Sequence, residues 1–392
     1  MAGARRGRPD AAEARRQGGS PANTESGAFQ HTPVMLDEVL QQLQPRPGDA
    51  IVDATLGGGG HAEAITRSIG PGGHLVGLDR DPSACAAALA RIELLAARER
   101  VALDVAHANF VDLEARLDEL GLETVDGVLF DLGVSSYQLD TPERGFSYRD
   151  DAPLDMRMDP GQGTTAYHLV NGLSEDELAD IIRRFGEERW ARRIAAAIVR
   201  HRQERGLLST TGELVSVIKG AVPVADAGGA HPARRTFQAL RIAVNNELGQ
   251  LEAGLRAAVR RLRPGGRLVV ISFHSLEDRI AKQVLRELAK GCTCPPDWPV
   301  CRCGRSPEVR ALLARPAQAG PQEAASNPRS RSAKLRAAIR LADGGAEPPA
   351  PPTGGGKAGR ADGDLQCRGM PSVAETLYPH ARRPVLHMGR GE

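Results

Sequence analysis

Four glycines, Gly57–Gly60, followed by His61, stand directly behind the apolar run Ile51-Val52-Asp53-Ala54. About twenty residues on, a second apolar run, His74-Leu75-Val76-Gly77-Leu78, ends in Asp79. A glycine turn after one strand and an acid after the next is how an open α/β sheet holds a nucleoside cofactor. Glycine lets backbone approach the ligand, and the acid accepts hydrogen bonds from ribose hydroxyls. The spacing alone leaves the cofactor open. A dinucleotide would use positions 57, 59 and 62, with Ala62 in the last place. No Lys-Ser/Thr pair follows to grip phosphates, which makes S-adenosylmethionine the better candidate.

A third chemical segment is Asp131-Leu132-Gly133-Val134-Ser135-Ser136, behind Val128-Leu129-Phe130. Its carboxylate should emerge at the sheet rim, where ligands bind. His107-Ala108-Asn109-Phe110 ends another strand, and Phe110 could stack on an adenine or simply pack in the core. His274 and Ser275 open the segment after the fifth strand, with Glu277, Asp278 and Arg279 able to cap a helix. Cys292-Thr293-Cys294 and Cys301-Arg302-Cys303 form a C-x-C pair of pairs; Cys292, Cys294, Cys301 and Cys303 could hold Zn²⁺, or be plain reduced thiols.

These residues need a scaffold. Strands are expected at 50–54, 74–78, 101–107, 127–132 and 267–272, with helices between them at 62–69, 82–97 and 111–120. That alternation predicts a parallel α/β sheet covered on both faces. It stops after Asp131. From 137 to 232 only helix signals occur: Ser174 as an N-cap before 178–185, then 187–205 with Trp190, Ile194 and Ile198 on one stripe, then 211–219. One long helix, 236–262, leads back to the sheet. The expected organisation is a disordered tail over 1–29, a Rossmann-like sheet domain over 30–136 and 234–340, an all-helical insertion over 137–233, and a second tail over 341–392.

Composition narrows the function class. Hydrophobic residues make up 41% of 392, enough for a large core, and no apolar run nears the ~20 residues of a membrane span. Arg5, Arg6 and Arg8 precede no apolar stretch, so no secretory signal is expected. Six cysteines do not make a disulfide scaffold in so long a chain, and a cytoplasmic setting follows. Net charge is only +2, but arginines cluster locally. Arg184, Arg189, Arg192 and Arg193 lie in the insertion, Arg234 and Arg235 follow it, and Arg329 and Arg331 open a group with Lys334, Arg336 and Arg340. Such clusters suit a phosphate backbone or form an ordinary solvated face.

Eight blocks together resemble the RsmH/MraW family. They are His31–Glu38, the glycine turn ending in His61, Asp131–Ser136, Arg144-Gly145-Phe146-Ser147, Pro153–Asp159, Gly186-Glu187-Glu188-Arg189, Ser272–Arg279 and Asn327–Ser332. The resemblance spans about 30–340 in family order and implies a bacterial S-adenosylmethionine-dependent methyltransferase acting on N4 of a cytidine in the decoding region of 16S rRNA. It implies cofactor contacts at Gly59, Gly60, His61, Asp79, Phe110, Asp131 and Gln138, a helical insertion that helps bind substrate, and 16S rRNA within the small ribosomal subunit as the partner. A homodimer stays open.

Cytosine N4 is a poor nucleophile because its lone pair is conjugated. Acceptors that grip its N–H groups can free that lone pair. Asp131, with backbone carbonyls of 132–134 and help from Ser135, Ser136 or His274, is the expected catalytic set. The base must be splayed out, and Phe146, Tyr148 or Phe273 are the aromatic candidates to stack on it. Carbon methylation would need a cysteine near the fourth strand, and none is there. An NAD-dependent oxidoreductase, a DNA or small-molecule methyltransferase and a non-catalytic RNA-binding assembly factor are the rival readings.

Overall fold

The structure, a computed structural model, describes residues 33–161, 163–223, 231–295, 298–300 and 302–346. The expected N-terminal tail, His31, Thr32, Cys301 and positions 347–392 lie outside the described residues. All described residues fall in one compact unit.

Helix α1 (Leu36–Leu43) precedes β1 (Ala50–Asp53), α2 (Gly60–Ile69), β2 (His74–Asp79), α3 (Pro82–Glu99), β3 (Ala102–His107), α4 (Leu113–Glu119) and β4 (Val125–Asp131). A helical stretch follows: α5 (Ser136–Asp140), α6 (Ala166–Gly172), α7 (Glu175–Gly186), α8 (Ala191–Glu204), α9 (Thr211–Ala221), α10 (Arg234–Asn245) and α11 (Glu247–Arg261). The chain closes with β5 (Leu262–Ser272), α12 (Ser275–Lys290), β6 (Val309–Ala311), α13 (Pro321–Ser326) and β7 (Lys334–Arg340). The strand order is 3-2-1-4-5-7-6, with β1 to β5 parallel and β7 antiparallel to β5 and β6. This is the Rossmann-like α/β class expected. The order reverses between β1 and β4, which opens a crevice at their carboxyl ends.

Alternation builds the two faces of the sheet. Val52, Val76, Val128, Phe130, Leu268 and Val270 point to one core, while Ile51, Leu75, Leu129, Val269 and Ile271 point to the other. A third core lies in the insertion and joins Leu178, Ile182, Ile194, Ile198, Leu214 and Ile218 of its helices with Phe146, Leu154 and Met156 of the segment before them. Ser174 starts it with a reciprocal cap: its hydroxyl accepts from the Glu177 amide, and Glu177 accepts from the Ser174 amide, worth about 1 kcal/mol.

Four expectations need correction. The sheet gains β6 and the antiparallel β7, which the wholly parallel expectation omits. The expected single helix 236–262 is two helices, because Asn246 is left-handed (φ 48°) and ends α10. The expected helix 187–205 starts only at Ala191, because Glu187 is also left-handed (φ 48°). A boundary at 233 would assign α10 to the sheet, yet its Phe237, Leu240 and Val244 pack into the helical core. Within 137–233, the described residues hold no strand beyond one bridge, Pro153 to Thr210.

Candidate active site

The glycine turn is held from below. Gly57 (φ 50°) donates its N–H to Asp79 Oδ2 at 2.8 Å, and Asp79 Oδ1 accepts from the Asp81 amide at 2.8 Å. Burial raises the Asp79 carboxyl to about 6. Asp79 therefore locks the turn, and each oxygen keeps a second lone pair for a ribose hydroxyl. Gly59 caps α2 at φ 75°, and a Cβ there would stand 3.1 Å from Ala88 Cα. At Gly60 a Cβ would stand 2.6 Å from Pro33 Cγ. Both positions need glycine for close approach, and Gly59 also for its backbone angles.

Three titratable groups meet beside the turn. Asp53 ends β1, is 1% exposed and accepts from the Thr55 amide at 3.2 Å. Burial pushes its carboxyl up to about 7. His61, in the first turn of α2, is buried with Nε2 3.5 Å from Asp131 Oδ2, outside hydrogen-bond alignment. Burial disfavours the charged ring, but the carboxylates of Asp131 and Asp53 outweigh it and raise the His61 pKa. Asp131 ends β4, and its amide donates to Thr55 Oγ1 at 2.6 Å. Its Oδ1 is buried with no hydrogen-bond partner, as are both His61 ring nitrogens. Buried polar atoms in native sites have partners, so these three point to a ligand.

The neighbouring residues are more occupied than the sequence suggests. Ser135 Oγ caps α5 by accepting from the Gln138 amide at 3.2 Å; Ser136 is the first residue of that helix. Gln138 is buried, donating from Nε2 to Asp81 Oδ2 at 2.9 Å and accepting at Oε1 from the Ser135 amide at 3.1 Å. Asp81, fully buried, also pairs with Arg144 at 2.9 Å. Ser135 and Gln138 thus shape the rim rather than offering free polar groups. His274 caps α12, with its Nδ1 accepting from the Glu277 amide at 3.4 Å. Its Nε2 lies 3.1 Å from Glu277 Oε1, without hydrogen-bond alignment. Burial would raise the Glu277 carboxyl, but His274, Arg241 and the Phe273 amide outweigh it and hold it low. Glu247, His274 and Glu277 are close enough to share a metal, but the Arg241 guanidinium already grips Glu247 with two 2.9 Å bonds.

One cavity of about 1320 Å³ unites these elements. Gly57, Gly58, Gly60, His61, Asp79, Phe110, Asp131, Ser135, Gln138 and His274 all line it; Gly59 does not. Phe110 also packs edge-on against Phe130, with ring centroids 5.6 Å apart. All three aromatic candidates line the cavity. Tyr148 is already stacked on His231 at 4.6 Å. Phe273 sits over the loop after Asp131, its Cδ2 3.5 Å from where a Gly133 Cβ would be.

The arginines divide. Arg234, Arg329 and Arg331 line the cavity, and Arg329 pairs with Asp140 at 2.7 Å. Arg184, Arg192 and Arg235 are exposed on the helical region, while Arg189 and Arg193 lie over the Trp190 ring at 5.3 and 5.2 Å. Lys334 and Arg336 leave the basic cluster: they neutralise Asp278 at 3.3 and 2.7 Å, and Arg340 pairs with Glu308 at 3.0 Å. Cys292, Cys294 and Cys303 lie beyond α12, away from the cavity lining.

Sequence reasoning missed Asp53, Thr55, Asp81, Arg144 and Arg241. Asp53 carried a signal, an acid inside an apolar run. Arg144 and Arg241 meet their partners only through the fold.

Residues 28–341 match the pattern of the MraW methylase family. Three relatives are called ribosomal RNA small subunit methyltransferase H. That of Pelobacter propionicus is 56% identical over 315 residues, covering 80% of this chain and 99% of its own. That of Symbiobacterium thermophilum is 54% identical over 318 residues, covering 81% and 98%. That of Geobacter sulfurreducens is 56% identical over 318 residues, covering 80% and 99%. With a family match over most of its length and relatives above half identity, the chain belongs to the MraW methylase family.

Proposed function

We propose that this protein transfers a methyl group from S-adenosylmethionine to the exocyclic N4 of a cytidine in the decoding region of 16S rRNA. The observation that carries the reading is Asp131 Oδ1, a buried, partnerless acceptor at the carboxyl end of β4 in the cavity that the glycine turn also lines.

The cavity suits this cofactor. Gly57 and Gly60 offer backbone approach, Asp79 has lone pairs for the ribose, and Phe110 offers an apolar wall. Asp79 and Asp131 place carboxyl groups in the cavity lining beside the turn, which favours a sulfonium over a dinucleotide's pyrophosphate. When bound, S-adenosylmethionine supplies an electrophilic methyl and needs no metal for it.

The chain's own residues do the rest. Asp131 Oδ1 accepts one N4–H, which draws the nitrogen lone pair out of conjugation. The Thr55 hydroxyl fixes the Asp131 backbone, and His61 faces the other carboxylate oxygen. The methylated nitrogen sheds one proton, which Asp131 is placed to receive. Phe273 is the stacking candidate for the splayed base, since Tyr148 already has a partner. Arg234, Arg329 and Arg331 hold the RNA backbone, the small ribosomal subunit is the form in which the RNA is met, and the cytoplasm is the setting. Among the described residues no helix is long and apolar enough to cross a membrane.

Labelled S-adenosylmethionine offered to unmethylated small subunits, free 16S rRNA and DNA tests this, with the modified nucleoside identified by mass spectrometry. N4-methylcytidine in rRNA is expected. Label on a ring carbon, on DNA only, or nowhere would refute it.

A further inference from the structure

Helix α12 ends at Gly291 (φ 65°), and the chain returns to its base through Glu308, whose amide donates to Leu288 O at 2.8 Å. Among the described residues of the loop between, Pro295, Trp298, Pro299, Val300 and Arg302 are exposed. Ordering so many residues without burial is unfavourable. Yet the sulfurs of Cys292, Cys294 and Cys303 all lie within 4.8 Å of one another, from both ends of the loop.

We propose that these three cysteines bind a Zn²⁺ ion that fixes this loop. Cys303 Sγ stands 3.7 Å from Cys292 Sγ. A disulfide needs about 2.05 Å. Two thiolates on one tetrahedral zinc, each about 2.3 Å from the metal, stand about 3.8 Å apart. Two backbone amides point at the sulfurs: Arg302 N lies 3.3 Å from Cys294 Sγ and Thr293 N 3.5 Å from Cys303 Sγ. Such amides stabilise thiolate charge, the form a metal binds. Binding releases the thiol protons and leaves no redox change to balance. The three thiolates leave the fourth position of the tetrahedron to a further ligand, and the site is remote from the methyl-transfer cavity lining and independent of the functional reading above. Cys301 lies outside the described residues, and the proposal does not rest on it.

The test uses the full chain purified under reducing conditions. Elemental analysis is expected to give about one zinc per chain. Replacement by Co²⁺ should produce thiolate-to-cobalt charge-transfer absorption. C292S and C303S should each weaken metal binding more than about 100-fold, the upper end of what losing even an outer partner costs, whereas C85S should not. Far-ultraviolet circular dichroism checks that the variants fold. Fully reduced wild-type protein that binds neither Zn²⁺ nor Co²⁺, or cobalt spectra unchanged in C303S, would overturn the proposal.

Discussion

Replacing Asp53 by Asn removes a charge that the fold holds at a cost. The carboxyl is 1% exposed and burial raises it from 3.8 to about 7. The folded state therefore binds this proton more tightly than the unfolded chain does. The favourable contribution is complete below about pH 4 and is lost at about 1.4 kcal/mol per pH unit as pH rises to 7, about 4 kcal/mol in all, and the loss is constant above that. The carboxamide of D53N would keep an oxygen for the Thr55 amide, 3.2 Å away in the wild type, but would carry no charge. The variant should gain stability over the wild type as pH rises from 5 to 8, with most of the gain by pH 7. Part of the 4 kcal/mol returns, because Asp53 also helps hold His61 protonated, so a gain of about 1–3 kcal/mol is expected. Chemical denaturation at pH 5 and pH 8 measures it. Equal differences at both pH values, or a larger advantage at pH 5, would refute the argument. His61 should titrate lower in the same variant, visible by NMR.

Asp131→Asn removes the charged acceptor: loss of one charge-assisted hydrogen bond of about 1.5–3 kcal/mol predicts single-turnover methyl transfer slower by about 10- to 150-fold, with cofactor affinity within about threefold by calorimetry. Unchanged transfer would take Asp131 out of the mechanism. Gly60→Ala drives a methyl to 2.6 Å from Pro33 Cγ, so thermal unfolding should show a loss of about 1–3 kcal/mol. Arg144→Met strands the fully buried Asp81 without its cation; about 3–5 kcal/mol of stability should go, seen in denaturant titration. Arg234→Ala with Arg329→Ala should weaken binding to any RNA sequence and flatten the salt dependence of the affinity by about one log unit per lost phosphate contact, while cofactor binding holds.

The first four strands were legible because buried parallel strands are short apolar runs, and Ile51–Ala54 or Val128–Phe130 have no other use. β7 was not. Lys334-Leu335-Arg336-Ala337-Ala338-Ile339-Arg340 carries three cations, and they read as a nucleic-acid patch. The partner that explains Lys334 and Arg336 is Asp278 on α12, more than fifty residues away. The breaks at Glu187 and Asn246 were hidden for a different reason. Glu187 is of a type that rarely turns left-handed, so nothing local announces it; Asn246 is of a type enriched there, a weak signal that the helical pattern on either side overrides. The glycine turn, Asp79 and Asp131 were legible as types at the ends of strands. What each does was not, because the burial of Asp53 and the orphaned Oδ1 of Asp131 exist only in three dimensions.

Two clasps, one buried and one at the surface, then tie the insertion to the sheet. Asp81, two residues past Asp79 at the end of β2, is held by Gln138 on α5 and by Arg144 beyond it. The segment that follows β4 is thereby anchored to the end of β2. Midway along the insertion, between α7 and α8, left-handed Glu187 accepts from Ser275 and, at 2.9 Å, from Arg279 on α12. Each clasp joins a helical segment to a rim segment of the sheet, and each uses a charged group whose partner is set by tertiary contact alone. A methyl transfer by in-line displacement depends on sub-ångström placement of donor and acceptor. Tying the insertion to the sheet rim at its start and at its middle is a direct way for this chain to fix the loop after Asp131.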